Sequence, residues 1–244
     1  MPKVIALIPA RFAATRFPGK LLKELEGKSI IRRTYEAVKN TQLFDQVIVV
    51  CDHELIRHEI EQAGGEVFMS QKEHESGTDR IAEAATKLEA DILVNIQGDE
   101  PFISAEGLEK VIRLFDNPDV DIASLMMPIH DEDAINNPNC VKVVTTPSGK
   151  ALYFSRAPIP YHRDKNSTPQ AFQHIGVYGF RKNSLLQFSQ LPVSKLEAIE
   201  KLENLRMLEN NFAVYLSEIQ QVGISIDTEE DYNRAVAYLA QQKM

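Results

Sequence analysis

The first hundred residues alternate short, wholly apolar runs with longer amphipathic stretches, and that rhythm leaves few architectures open. Val4-Ile5-Ala6-Leu7-Ile8 is apolar at every position, as a strand covered on both faces must be. Ser29 is placed to cap a helix with Ile30, Ile31, Thr34, Tyr35 and Val38 on one face. Val47-Ile48-Val49-Val50 then reads as a strand, His53 to Ala63 as a helix, and Val67-Phe68-Met69 as a strand, with Gly64-Gly65 as the stop between the last two. A helix from about Asp79 to Leu88 and a fourth buried strand, Ile92-Leu93-Val94-Asn95-Ile96, complete the series. Strand–helix alternation of this kind predicts an α/β fold, a parallel sheet with helices on both faces.

After about residue 120 strand-like pieces follow one another closely: Ile122 to Met127, Val141 to Thr145, Ala151 to Phe154 and Ile175 to Phe180. Pro147-Ser148-Gly149 supplies a hairpin turn. The sheet is therefore expected to become mixed, with a small β-rich lobe. Helices are expected from about Lys195 to Leu208 and from Glu229 to Gln241. With no linker-like composition and no repeat, residues 1–244 read as one domain, core at about 1–120 and 210–244 and lobe at about 121–209.

Composition excludes several classes. Thirty-five acids against 27 bases give a net charge of −8, the wrong sign for a general nucleic-acid binder. Two cysteines, Cys51 and Cys140, make no disulfide framework and no metal-ligand spacing. The Val4–Ile8 run is too short for a signal-peptide core or a membrane span, so a soluble, cytoplasmic chain is expected.

In an open α/β sheet ligands bind beyond the carboxyl ends of the strands. The segment Pro9 to Lys20 follows the first strand and carries Arg11, Arg16 and Lys20 on a loop with Pro18 and Gly19. Guanidinium forks and an ammonium there suit a triphosphate, although neither a GxGxxG nor a Walker A pattern is present and a solvated basic loop is the plain alternative. Gln97-Gly98-Asp99-Glu100-Pro101 follows the fourth strand. Its Asp99 can hold Mg²⁺, or the segment can be an ordinary acidic turn. In Gly223 to Asp231, read as a short strand entering the last helix, Thr228 and Asp231 make a capping box without help from Asp227, which is free to reach the same ion as Asp99. Ser76-Gly77-Thr78-Asp79-Arg80 suits a nucleotide's hydroxyls and phosphates, or a simple helix cap. Arg156, His174, Tyr178 and Glu203 are polar groups in apolar surroundings.

These residues carry a resemblance. Pro9-Ala10-Arg11 through Arg16-Phe17-Pro18-Gly19-Lys20 resembles the PARxxSTRxPGK signature of nucleotidyltransferases that activate acidic sugars with CTP. His74-Glu75-Ser76-Gly77-Thr78-Asp79-Arg80, Asn95-Ile96-Gln97-Gly98-Asp99-Glu100-Pro101, Asn137-Pro138-Asn139-Cys140-Val141-Lys142, Tyr153-Phe154-Ser155-Arg156, His174-Ile175-Gly176-Val177-Tyr178-Gly179-Phe180, Leu196 to Glu203 and Ile226-Asp227-Thr228 follow in order. From about residue 3 to 240 the chain is similar to the 3-deoxy-manno-octulosonate (Kdo) cytidylyltransferases. Two positions depart: Ala14 stands where the signature has serine, and Asn204 where relatives often carry glutamine.

The resemblance implies a Rossmann-like, GT-A-type nucleotidyltransferase fold, usually a homodimer, that uses Mg²⁺ to convert CTP and Kdo to CMP-Kdo and pyrophosphate for lipopolysaccharide inner-core synthesis. The core would bind nucleotide, and the lobe would bind sugar and carry the dimer contact. It implies that Arg11 and Lys20 hold the triphosphate with Arg16 close by, and that Asp99 and Asp227 hold Mg²⁺. Pro9, Ala10, Ser76, Thr78 and Arg80 would lie near the nucleotide, and Gln97, Arg156, His174, Tyr178, Glu203 and Asn204 would line the sugar site. The alternatives are an 8-amino-Kdo or sialic-type acidic sugar as substrate and, in another class, a non-catalytic nucleotide-binding regulator. No side chain stands out as a general base.

Overall fold

A computed structural model describes residues 2–13, 17–74, 76–164 and 170–242. The chain divides into two compact units, residues 1–106 with 222–244, and residues 107–221. The expected lobe at about 121–209 falls wholly within the second.

The first unit holds β1 (Val4–Ala10), a two-residue hairpin β2 (Glu24–Leu25) and β3 (Lys28–Ser29), α1 (Ile30–Asn40), β4 (Gln46–Cys51), α2 (Glu54–Gln62), β5 (Glu66–Met69), α3 (Gly77–Ala85) and β6 (Ile92–Asn95). All seven residues of β1 are buried. It pairs in parallel with β4 on one side (Leu7 beside Ile48) and β6 on the other (Leu7 beside Asn95), and β4 pairs in parallel with β5. The order β5-β4-β1-β6 places successive strands first to one side of β1 and then to the other, which opens a crevice at the carboxyl ends of β1 and β6.

The helices of this unit begin and end where local chemistry dictates. The Ser29 hydroxyl accepts from Arg32 N at 3.2 Å and starts α1, which buries the five residues its period assigns to the core. The His53 ring accepts from Leu55 N at 3.2 Å and starts α2. Gly64, at φ +70°, ends it in a conformation that costs a residue with a Cβ. The helix expected from Asp79 runs instead from Gly77 to Ala85, because Ser76 caps it by accepting from Asp79 N at 3.1 Å. No strand forms ahead of the last helix, α9 (Glu229–Gln242). That segment joins no ladder and is tied by Ile226 N donating to Asp99 O at 3.0 Å.

The second unit's sheet is mixed. Its elements are β7 (Ile122–Ile129), α5 (Glu132–Asn136), β8 (Lys142–Thr145), β9 (Ala151–Ser155), β10 (Ala171–Arg181), α6 (Lys182–Phe188), α7 (Lys195–Glu200), α8 (Glu203–Glu209) and β11 (Val214–Glu218), preceded by α4 (Ala105–Arg113). β11 runs parallel to β7, while β7–β10, β10–β8 and β8–β9 are antiparallel. The β8–β9 turn carries the expected Gly149 at φ +85°, where a Cβ would meet Leu216 O at 2.6 Å. The single helix expected over Lys195–Leu208 is two helices. Lys201 takes a left-handed conformation (φ 53°) at the C-terminus of α7, so Glu203 and Asn204 open a new helix. The sequence has neither glycine nor proline at that break.

Candidate active site

Three chain segments reach the crevice of the first unit. They line a cavity of about 370 Å³ whose walls include Pro9 and Arg11 from the end of β1, Lys20, Gln97 to Glu100 beyond β6, and Ser225 and Asp227 ahead of α9. A smaller cavity of about 200 Å³ shares Pro9, Arg11 and Gln97 and is bounded by Ala10, His74, Ser76, Gly77 and Arg80.

Asp99 and Asp227, which spacing alone did not bring together, converge on one point. The Lys20 Nζ donates to Asp99 Oδ2 at 2.5 Å and to Asp227 Oδ1 at 3.0 Å. The Lys20 side chain is 12% exposed, and Asp227 53%. Burial works against the ammonium, but the Asp99 carboxylate, with Asp227 adding to it, more than reverses this and raises the Lys20 pKa above its usual value. Gly98 is needed beneath this pair. A Cβ there would lie 3.0 Å from both Pro9 O and Ile31 Cδ1, and the Gly98 carbonyl accepts from the Thr34 hydroxyl at 2.9 Å. The capping box at α9 forms as expected: Asp231 Oδ2 accepts from Thr228 N at 2.9 Å, and Thr228 Oγ1 accepts from Asp231 N at 3.2 Å. It leaves the Asp227 carboxylate facing the cavity.

Among the described residues no group of three His, Cys, Asp or Glu side chains is arranged to hold a metal. The Asp99–Asp227 pair nevertheless fits Mg²⁺, which takes one or two carboxylates when substrate phosphates and water complete its shell. Both carboxylates already aim an oxygen at a single cation, the Lys20 ammonium.

Ser76 and Thr78 stand at the start of α3, Ser76 as its cap. Arg80 is buried, its guanidinium donating to Asp52 Oδ2 at 2.9 Å. Asp52 also accepts from Phe12 N at 2.9 Å, so it orients the backbone next to Arg11 while holding Arg80. Arg11 is exposed, and Arg16 lies outside the described residues, as does Ala14. The sequence reading missed Asp52, although it follows β4 directly and the strand-end rule that selected Asp99 selects it equally. It also passed over Glu100. Burial first, and the Asp99 charge second, push that carboxyl up to about 7.

The remaining predicted residues lie in the second unit, apart from Gln97 in the first. Arg156 donates through Nε to Glu200 O at 2.7 Å and through its terminal nitrogens to Pro138 O at 2.8 Å and Lys201 O at 3.3 Å. Two of these carbonyls, those of Glu200 and Lys201, are ones the end of α7 leaves unpaired. The Glu200 carboxylate accepts from Arg156 N at 2.6 Å and Ser155 Oγ at 2.8 Å, and no sequence signal marks it for that task. Lys142 is fully buried, and its Nζ donates to the carbonyls of Asn137, Cys140 and Arg156 at 2.8, 2.6 and 2.7 Å. His174 stands with its ring edge-on to Phe154 and tilted against Tyr178. Burial, with the Glu203 charge second, pushes the Tyr178 phenol up, while a hydrogen bond with Asn204 opposes it. Asn204 is 3% exposed, and its Oδ1 has no partner among the described residues. A buried acceptor without a donor is costly unless something else supplies one.

Comparison with known proteins identifies the family. Residues 5–235 match the family model described as cytidylyltransferase. The chain is 57% identical to the 3-deoxy-manno-octulosonate cytidylyltransferase of Flavobacterium johnsoniae, covering 97% of this chain and 98% of the relative. It is 49% identical to the enzyme of the same name from Christiangramia forsetii, over 96% and 95% of the two chains. A solved CMP:2-keto-3-deoxy-manno-octonic acid synthetase, complexed with CTP, superposes with a TM-score of 0.94 at 36% identity, covering 98% of this chain and 99% of that one. A 4-diphosphocytidyl-2C-methyl-D-erythritol synthase from Anaerococcus prevotii, 16% identical over 98% and 99% of the two chains, shares the fold at a TM-score of 0.65. The chain belongs to the cytidylyltransferase family, among the 3-deoxy-manno-octulosonate cytidylyltransferases.

Proposed function

We propose that the protein transfers CMP from CTP to Kdo, releasing pyrophosphate and giving CMP-Kdo for the inner core of lipopolysaccharide. The observation that carries this reading is the convergence of Lys20, Asp99 and Asp227 in a crevice walled by Arg11, on a chain 57% identical to an enzyme of that name. Nucleotidyl transfer needs in-line positioning and neutralisation of phosphate charge more than covalent participation. Arg11 and Lys20 supply that neutralisation, and Arg16, outside the described residues, is assigned to the same task. Pro9, Ala10, Ser76, Thr78 and Arg80 flank the nucleotide, and the sugar is held by Gln97, Arg156, His174, Tyr178, Glu203 and Asn204. Asp99 and Asp227 are the protein ligands for Mg²⁺. Bound there, Mg²⁺ supplies further charge neutralisation and Lewis acidity toward the attacking anomeric hydroxyl.

The working assembly is a homodimer in the cytoplasm. Exposed Leu152, Tyr161 and Ile199 on the second unit offer apolar surface for a second copy, and both cysteines are free and buried, as a reducing compartment leaves them. No helix among the described residues is long and apolar enough to cross a membrane.

The test is pyrophosphate release with CTP and Mg²⁺, run in parallel with Kdo, 8-amino-Kdo and N-acetylneuraminate. Release with Kdo is expected. Preference for the 8-amino sugar would keep the chemistry and change the substrate, and silence with all three from folded, CTP-binding protein would overturn the reading. Asp99→Asn and Asp227→Asn are each expected to lower kcat at least a hundredfold with the fold intact, by the magnitude typical of lost transition-state electrostatics. Near-normal turnover in either variant removes that residue from the metal site.

A further inference from the structure

Strand β10 is irregular opposite the middle of β7. Ile175 faces Leu125 and Gly179 faces Ala123, so Gly176, Val177 and Tyr178 together stand against the single residue Ser124. Such bulges bend a strand and re-aim its side chains, and they recur beside active sites. His174 and Tyr178 flank this one.

Ser124 is fully buried, and its hydroxyl fills the bulge. Oγ lies 2.8 Å from Val177 O, 3.2 Å from Ile175 O and 3.0 Å from His174 Nε2. A serine hydroxyl has one proton, and a carbonyl oxygen can only accept. Were that proton turned toward the imidazole, two carbonyl lone pairs would face a hydroxyl oxygen at hydrogen-bond distance with nothing between them. The proton therefore belongs to the carbonyls, and the Ser124 lone pair faces Nε2, which must carry a hydrogen to complete the contact. Burial holds the His174 ring neutral, with its pKa down to about 4, so the imidazole has a single ring proton. That proton is on Nε2, and Nδ1 is bare. No hydrogen bond to Nδ1 comes from any described residue.

We infer that Ser124 is a positioning residue that locks His174 as the Nε2–H tautomer, making Nδ1 a fixed acceptor for a hydroxyl of the acidic sugar. The inference rests on the reading that His174 lines the sugar site. Its chemical content is one of selection. An imidazolium, or the opposite tautomer, would present a donor at Nδ1 and attract the substrate's carboxylate. The locked tautomer repels a carboxylate and reads a hydroxyl instead, leaving the carboxylate to other donors.

The direct test is nitrogen-15 NMR of the histidines in the wild-type protein at neutral pH, with His174 identified by its loss in His174→Ala. A pyrrole-type shift for Nε2 and a pyridine-type shift for Nδ1 are expected, and the reverse assignment overturns the lock. Steady-state kinetics give the second readout. Ser124→Ala frees the ring to adopt either tautomer and is expected to raise KM for the sugar roughly five- to tenfold, the worth of one neutral hydrogen bond, with KM for CTP unchanged. In a His174→Ala background the same substitution is expected to change sugar KM less than twofold, because Ser124 acts through the ring. Equal effects in both backgrounds would make Ser124 merely structural and overturn the inference. If Ser124→Ala does not fold, the wild-type tautomer still decides. If His174→Ala leaves sugar KM unchanged, the sugar-site reading itself fails, whichever tautomer is found.

Discussion

Replacing Lys20 by methionine keeps most of the side chain's volume and removes the charge that Asp99 and Asp227 share. The two carboxylate oxygens lie 2.5 and 3.0 Å from one Nζ, which places them within about 5.5 Å of each other. At an effective dielectric of about 20, two unit charges at that separation repel by about 3 kcal/mol. Asp227 is 53% exposed and water screens it, so about 1–2 kcal/mol of that repulsion should reach the folding free energy. Urea unfolding of Lys20→Met in chelator should register this loss. Added Mg²⁺ should stabilise the variant more than the parent, since the vacated carboxylates bind it without competition from an ammonium. Catalysis should fare worse than folding. Pyrophosphate release with saturating sugar is expected to show kcat/KM for CTP lower by roughly a hundred- to a thousandfold, as for other preorganised groups that meet developing charge. A variant as stable as the parent in chelator, with kcat/KM within twofold, would refute the claim that this ammonium balances the pair and serves the triphosphate.

Two further outcomes follow from other buried or half-buried polar groups. Lys142→Met should destabilise the protein by about 3 kcal/mol, because three carbonyls lose the charged donor of a fully buried side chain while the apolar stem is retained. In calorimetry that is a drop in Tm of about 6–12 °C, and an unchanged Tm would show that the carbonyls find other partners. Glu100 and His174 act on acid stability with opposite signs. His174, held down at about 4, keeps its proton off in the folded state, so stability is lost as pH falls from about 6.5 to 4. Glu100, held up at about 7, favours its protonated form when folded, so stability is gained as pH falls from about 7 to 4.5. The difference in unfolding free energy between the parent and Glu100→Gln should therefore grow in the parent's favour by up to about 3 kcal/mol over that interval. Parallel pH curves would place Glu100 at an ordinary carboxylate value.

What the sequence disclosed and what it withheld divide along physical lines. The strand β1 and the helix α1 were readable because burial imposes a period and Ser29 marks a start, both local properties. Lys20, Asp99 and Asp227 were selected as residues after strand ends or ahead of a helix, but their meeting is a property of topology. Lys20 and Asp227 are 207 positions apart. The break between α7 and α8 was missed because a left-handed lysine leaves no compositional trace, and with it went the role of the Arg156 side chain as the cap of α7. Lys142 was quoted only as part of a motif. Nothing in a single chain announces that a lysine points inward, since lysine is normally exposed and only three converging carbonyls make its burial tolerable.

The two aspartates are held by different means, and the difference bears on how the site works in a protein of net charge −8. Asp99 follows a strand buried along its length. Its neighbour Gly98 is pinned against Pro9 and Ile31, and the Asp99 carbonyl accepts from Ile226 N, so the position of Asp99 is inherited from the sheet. Asp227 owes its place to that hydrogen bond, to its own N–H donating to Asp231 Oδ2 at 3.0 Å, and to the Thr228–Asp231 box that fixes the start of α9. One aspartate takes its position from the sheet, and the other is held by a local cap at the surface. Lys20 bridges the two side chains, alongside the backbone bond from Ile226 N to Asp99 O. An anionic substrate that draws this ammonium away removes the side-chain bridge and leaves the backbone bond and the cap in place. The cation loop and the last helix meet at that ammonium and at the Phe17–Tyr232 ring contact, and the long-range attraction that an acidic surface lacks is replaced by charges arranged at contact distance.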